Sequence, residues 1–254
     1  MNYKDMKFKI PKETETYEND SNFVVSMIEN IIKNAILNGS NKIILNTNLK
    51  LGLPMENINK IAGPIIEAWA YETFCDIKDN LDNEYNLINV ESRPRLDMAD
   101  ILLQFKKNNY SITTNVDAKA TAEDIENSGK SPNITSYSRI RTAYIKDPDF
   151  MFIILSLKHK VYSERNSKSR LVDGIMEIVR YNAYDLKYIS AEDISYNPAL
   201  GTGQIQIKDI HYVNCQYRTT WDFCKLLDEK YLNSSRRTID DWYREAVKNK
   251  WIKE

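Results

Sequence analysis

The sequence predicts an α/β fold, a mixed sheet flanked by helices. Three observations predict it: a long apolar stripe of helical period near the N-terminus, an early switch to strand-like period at a hairpin, and helical segments alternating with strands from there on. With 254 residues, of which 42% are hydrophobic and 28% charged, the chain can bury a sizeable core, and one folded unit spanning 1–254 is expected.

The elements follow in order. Asn22 to Leu37 places Phe23, Val24, Met27, Ile28, Ile31, Ile32 and Ile36 at helical spacing, and Gly39 ends the run. After a loop near Leu51 to Pro54, the stretch from about Met55 to Leu81 reads as a second helix that starts or kinks at Pro64, with Ile66, Ala70, Phe74 and Ile77 on one stripe. The period then shortens. Ala99–Phe105 and Tyr110–Ala118 read as strands joined by a turn at Lys106–Asn109.

A polar stretch, Glu126–Ser136, leads to a helix near Ser136–Lys146 and then to the strongly β-forming run Phe150–Tyr162. Ile175–Tyr181 and Lys187–Ile189 read as short strands, and Gln204–Lys208 alternates as another. Thr219–Tyr231 and Thr238–Trp251 are read as the last two helices.

Several function classes are excluded by what the sequence lacks. The longest strongly apolar run, Phe150–Leu157, falls far short of the roughly 20 residues of a membrane helix, and the N-terminus lacks the apolar core of a signal peptide. A cytoplasmic protein without membrane contact is expected. Cys75, Cys215 and Cys224 are scattered without a CxxC pair, which disfavours structural zinc and disulfides. No phosphate-binding GxxxxGK[ST] loop, GxGxxG or GxSxG is present.

The formal net charge of -1 hides an asymmetry. Between Gly129 and Arg170 nine basic residues stand against three acidic ones, a footprint expected of a DNA-facing surface or of a solvated basic face.

The informative constellation is Asp100, at the start of the first hairpin strand, with Asp117-Ala118-Lys119 at the end of the second. If Lys106–Asn109 forms the whole loop, Phe105 opposes Tyr110 and Ile101 and Leu103 oppose Thr114 and Ile112 on an apolar face. Asp100 then opposes Asn115 on the other face, beside Asp117 and Lys119. Asp97 falls on the opposite side, and a one-residue change of loop length reverses that choice. Two carboxylates on adjacent strand ends suit Mg²⁺. Lys119 is placed to orient or deprotonate an attacking water. The alternative for the same residues is a surface ion pair.

This pattern, Ala99-Asp100-Ile101-Leu102-Leu103 followed by Val116-Asp117-Ala118-Lys119-Ala120 and preceded by the acid-bearing helix GPIIEAWAYETF, resembles the PD-(D/E)xK nuclease superfamily and, within it, type II restriction endonucleases. The resemblance implies a restriction-endonuclease-like core at about 55–190, with helical and loop additions at both ends. It implies Asp100 and Asp117 as metal ligands, Lys119 as catalytic lysine, Mg²⁺ as cofactor and Glu67 as the helix acid. Periodicity does not choose between Glu67 and Glu72, which flank the apolar stripe on opposite sides. Ala99 stands where the superfamily motif has proline, and Asp117 where it often has Glu. The region around Asn197-Pro198 and Tyr217-Arg218-Thr219 is more faintly similar to restriction enzymes that cut AT-rich sites.

The resemblance makes double-stranded DNA the substrate, a homodimer the expected assembly and a DNA methyltransferase the functional companion. Lys130, Asn133, Thr135, Ser136, Tyr137, Arg139 and Arg141 are the expected DNA contacts, since cations position phosphates and short polar side chains bond base edges. Asn133 is the candidate for adenine. The polar loop Asn197–Gln204 is a second segment able to reach DNA, but Gly201 and Gly203 equally suit a tight turn before the next strand, and it receives no specific role. Arg236 and Arg237 are read as solvated. Two other readings stay open: a repair or junction nuclease on the same fold, since fold does not fix substrate, and a non-catalytic DNA-binding protein.

Overall fold

The computed structural model describes residues 2–54, 58–80, 83–199 and 201–253. Among the described residues the α-helices are α1 (Tyr17–Leu37), α2 (Ala62–Asp79), α3 (Tyr137–Lys146), α4 (Thr220–Leu232) and α5 (Ile239–Lys248). The strands are β1 (Lys42–Leu45), β2 (Leu87–Ser92), β3 (Ile101–Lys107), β4 (Tyr110–Ala122), β5 (Asn133–Ser136), β6 (Phe152–Arg165), β7 (Val172–Asp185), β8 (Ile194–Asn197) and β9 (Gln204–Ile207). The expected mixed α/β class is observed, with a six-stranded mixed sheet ordered β1-β7-β6-β4-β3-β2 and a small sheet ordered β5-β9-β8.

The chain divides into two compact units, one of Met1–Ser21, Lys130–Phe152 and Asp185–Glu254, the other of Asn22–Gly129 and Ile153–Tyr184. The second holds the large sheet. There α1 buries Val24, Ile28, Ile31 and Ile32, the i, i+4 stripe the sequence predicts. It ends in a Schellman motif, with the Ser40 amide on the Ala35 carbonyl and Gly39 at φ 76 on that of Ile36. Helix α2 buries Ala62, Ile66, Ala70 and Phe74 and packs on β2 and β4. Pro64 sits in its first turn, where the missing N–H costs no helical bond. The predicted helix ends at Met55 and Leu81 lie outside the described residues.

Three readings are corrected. The hairpin turn is the pair Asn108-Asn109, with Asn108 at φ 54, so β3 runs on to Lys107, which opposes Tyr110. Lys187 belongs to a 3-10 turn, Leu186–Tyr188, capped by the Asp185 carboxylate on the Lys187 amide, in place of a strand. Four strands, β1, β2, β5 and β8, were not expected. β2 and β5 carry register shifts that break their alternation, and β1 and β8 have four residues each.

The first unit is centred on a buried charge. Asp228 accepts Nε and Nη2 of Arg141 at 2.7 and 2.9 Å, the hydroxyls of Tyr3 and Tyr137 at 2.7 and 2.5 Å, and Trp242 Nε1 at 3.0 Å. The Arg141 guanidinium also lies 4.4 Å from the centre of the Trp251 ring. Donors from the N-terminus, α3 and α5 thus converge on one carboxylate of α4.

Candidate active site

β3 and β4 carry the site. Ile101 pairs with Val116, Leu103 with Thr114 and Phe105 with Ile112. These partners differ from the expected ones by one two-residue repeat, so the parity, and with it the face, is unchanged. One step past Ile101 and Val116, the register brings Asp100 alongside Asp117. The Asp100 amide donates to the Val116 carbonyl at 3.0 Å, and its carboxylate accepts the Ala118 amide at 2.8 Å. Asp100 is therefore fixed to β4 between Asp117 and Lys119. Asp97 lies in a turn closed by its own amide on the Pro94 carbonyl, with its side chain 4.0 Å from Arg93.

Lys119 completes the group. Its Nζ donates to Asp117 Oδ1 at 2.7 Å and stands 2.7 Å from Oδ2, which has no hydrogen bond of its own. Asp117 is only 4% exposed. Burial pushes its carboxyl up to about 7, against the pull of Lys119 and with further upward push from Asp100 and Glu67. Glu67 is half-buried on α2, and its carboxyl is raised by burial first and by Asp100 next, while Lys119 lowers it. Glu72 is exposed and lines a separate cleft with Asn34, Trp69 and Asp76. The structure brings Glu67, Asp100, Asp117 and Lys119 within electrostatic reach of one another and leaves Glu72 and Asp97 out.

A hard divalent cation fits this donor set. Three carboxylates repel one another and share a single ammonium, which already pairs with Asp117. Among the described residues no three His, Cys, Asp or Glu side chains are placed together to hold a metal ion by themselves. Mg²⁺ needs no such set, because it uses one or two carboxylates and keeps water and phosphate oxygens as its other ligands.

The expected DNA contacts separate. Lys130 is exposed and paired with Asp209, while Asn133 and Arg139 are exposed. Thr135 is buried in β5, and Ser136 shares its hydroxyl with Thr202 at 3.1 Å. Tyr137 and Arg141 are corrected: both are fully buried on Asp228, so neither side chain faces solvent. Arg237 is corrected too. It donates to Tyr196 Oη at 2.8 Å and to the carbonyls of Pro198 and Gly201 at 2.9 and 2.6 Å, clasping a loop instead of solvent. Sequence reasoning passes over Gln206 and gives Gln204 no specific role. The alternation Gln-Ile-Gln-Ile in β9, whose isoleucines are buried, is the signal that sets both amides on the outer face.

No helix among the described residues is long and apolar enough to cross a membrane. The sequence model of the family described as type II restriction endonuclease HpaI matches residues 4–250. The chain is 63% identical to the type II restriction enzyme HpaI of Haemophilus parainfluenzae over 254 residues, 100% of each chain. With that extent of likeness, and with paired aspartates and a lysine on one hairpin, the chain belongs to the HpaI family of type II restriction endonucleases.

Proposed function

We propose that this chain cuts both strands of DNA at a specific sequence by Mg²⁺-dependent phosphodiester hydrolysis, with Asp100 and Asp117 holding the metal, Lys119 handling the attacking water and Glu67 supporting them. As a type II restriction enzyme it is a site-specific deoxyribonuclease that acts on DNA. The repair, junction and non-catalytic readings fall away on that ground. The observation that carries the residue assignment is the bond from the Ala118 amide to Asp100, which holds one carboxylate beside Asp117 and Lys119.

Type II restriction enzymes generally use Mg²⁺, which when bound polarises the phosphodiester and lowers the pKa of water. The chain's own residues do the rest. Asp100 and Asp117 present oxygens from adjacent strands, and the half-exposed Lys119 ammonium orients a water toward phosphorus and stabilises developing charge. Lys130 and Arg139 are surface cations suited to phosphates, and Asn133 to a base edge. A two-fold homodimer matches a palindromic site, a methyltransferase protects that site in the host DNA, and the cytoplasm is where both meet their substrate.

The test is cleavage of plasmid and phage DNA with Mg²⁺ or EDTA by the wild type and by Asp117→Ala. Discrete Mg²⁺-dependent fragments lost in the variant are expected. Equal fragments from Asp117→Ala move the chemistry to other residues, and intact DNA with the wild type overturns the reading.

A further inference from the structure

Resting on the reading above, we propose that Asn133 and Gln206 form one base-reading pair whose outward edge is the complement of adenine in the major groove.

The two residues face each other across the small sheet, Asn133 of β5 opposite Gln206 of β9. Gln206 Nε2 donates to the Ser131 carbonyl at 2.9 Å and to Asn133 Oδ1 at 3.0 Å. A carbonyl only accepts, so Ser131 fixes which end of the Gln206 amide turns toward it, and Nε2 in turn fixes the Asn133 amide. Both Nε2 hydrogens are thereby committed, and Asn133 Oδ1 is turned toward Gln206. What remains to face outward is an acceptor, Gln206 Oε1, and a donor, Asn133 Nδ2.

Ser131 is itself held at a conformational cost. It is a non-glycine residue at φ 48, pinned by its amide on the Lys208 carbonyl at 3.0 Å and by the neighbouring bridge between Lys130 and Asp209. Backbone strain of this kind gathers at ligand clamps. Asn133 is exposed and Gln206 half-exposed, so a base edge can reach the pair.

Adenine shows an N6 donor beside an N7 acceptor in the major groove, the reverse of what the pair presents. Guanine shows acceptors at both N7 and O6 and would set O6 against Gln206 Oε1. The pair therefore selects adenine over guanine, and Gln206 joins Asn133 as a specificity residue.

The experiment begins with the recognised sequence, read from the ends of wild-type fragments. Each adenine in it is then replaced by 7-deazaadenine, which lacks the N7 acceptor, or by unsubstituted purine, which lacks the N6 donor. At one adenine each analogue is expected to lower wild-type cleavage by at least about tenfold. Asn133→Ala should lose the response to 7-deazaadenine. Gln206→Leu, which also releases the Asn133 amide, should lose both responses. Asn133→Asp keeps the acceptor toward Gln206 and puts a charged acceptor where the outward donor was, so 7-deazaadenine must no longer lower its cleavage, even if Asn133→Ala fails to fold. Full analogue sensitivity retained in the variants, or a recognised site without an A·T pair, overturns the proposal. Absence of discrete wild-type fragments would instead overturn the restriction reading on which it rests.

Discussion

Lys119→Ala should lower Mg²⁺-dependent cleavage by about 10²–10⁴-fold, the range for losing a positioned proton-handling group, with DNA binding in EDTA retained in a gel-shift measurement. Loss of binding in parallel with cleavage would make Lys119 a contact residue instead. Asp100→Asn should be comparably inactive and Asp97→Asn close to wild type, because only Asp100 is bonded to β4. That choice was legible from parity, since every second residue of a strand shares a face. The error in the turn was two residues of loop, which leaves parity intact. Arg141 and Tyr137 show the opposite case: a basic and aromatic run predicts a nucleic-acid surface as readily as a buried ion pair, and only the position of Asp228, 87 residues from Arg141 in sequence, decides between them.

Among the elements, the loop between β8 and β9 depends on glycine in a way its sequence only suggests. Gly203 has φ +86, and a Cβ there would overlap the Tyr196 hydroxyl and ring. That ring cannot simply withdraw, because its hydroxyl donates to the Thr202 carbonyl at 2.7 Å and accepts from Arg237. Gly203→Ala should cost about 1–3 kcal/mol in urea denaturation, and hydrogen exchange should quicken in β8 and β9 first. An unchanged denaturation midpoint would mean that the loop repacks freely. The edge strand β2 was illegible for a related local reason. The shift between Leu87 and Asn89 spoils the alternation that would have marked it.

For the whole molecule, Asp228→Ala should destabilise the fold by about 3–5 kcal/mol, because it leaves the Arg141 guanidinium buried without its partner. A urea midpoint within error of wild type would show the pair to be dispensable. Stability should also depend on pH through His159, whose ring nitrogen Nε2 lies 3.0 Å from Asn59 Oδ1. Burial holds its pKa below the ordinary 6.5. The folded state thus resists protonation more than the unfolded state, so this contribution is present above 6.5 and lost as pH falls through the lower folded value. Melting temperature should fall less steeply below pH 6.5 in His159→Gln than in the wild type, and identical slopes would dismiss the linkage. The proposed homodimer should sediment at about 59 kDa, twice the chain's 29.7 kDa.

By itself the sequence determined the α/β class, the long helices α1 and α2, the central hairpin and the trio Asp100, Asp117 and Lys119, because periodicity and strand parity are local properties that neighbouring residues impose on one another. Tertiary structure alone decided that Glu67 and not Glu72 approaches the aspartates, that Arg141 and Tyr137 turn inward to Asp228, and that Ser131 sets the amides of Asn133 and Gln206. Each of these depends on partners distant in sequence, and the balance between burying a polar group and solvating it is settled only when those partners are in place.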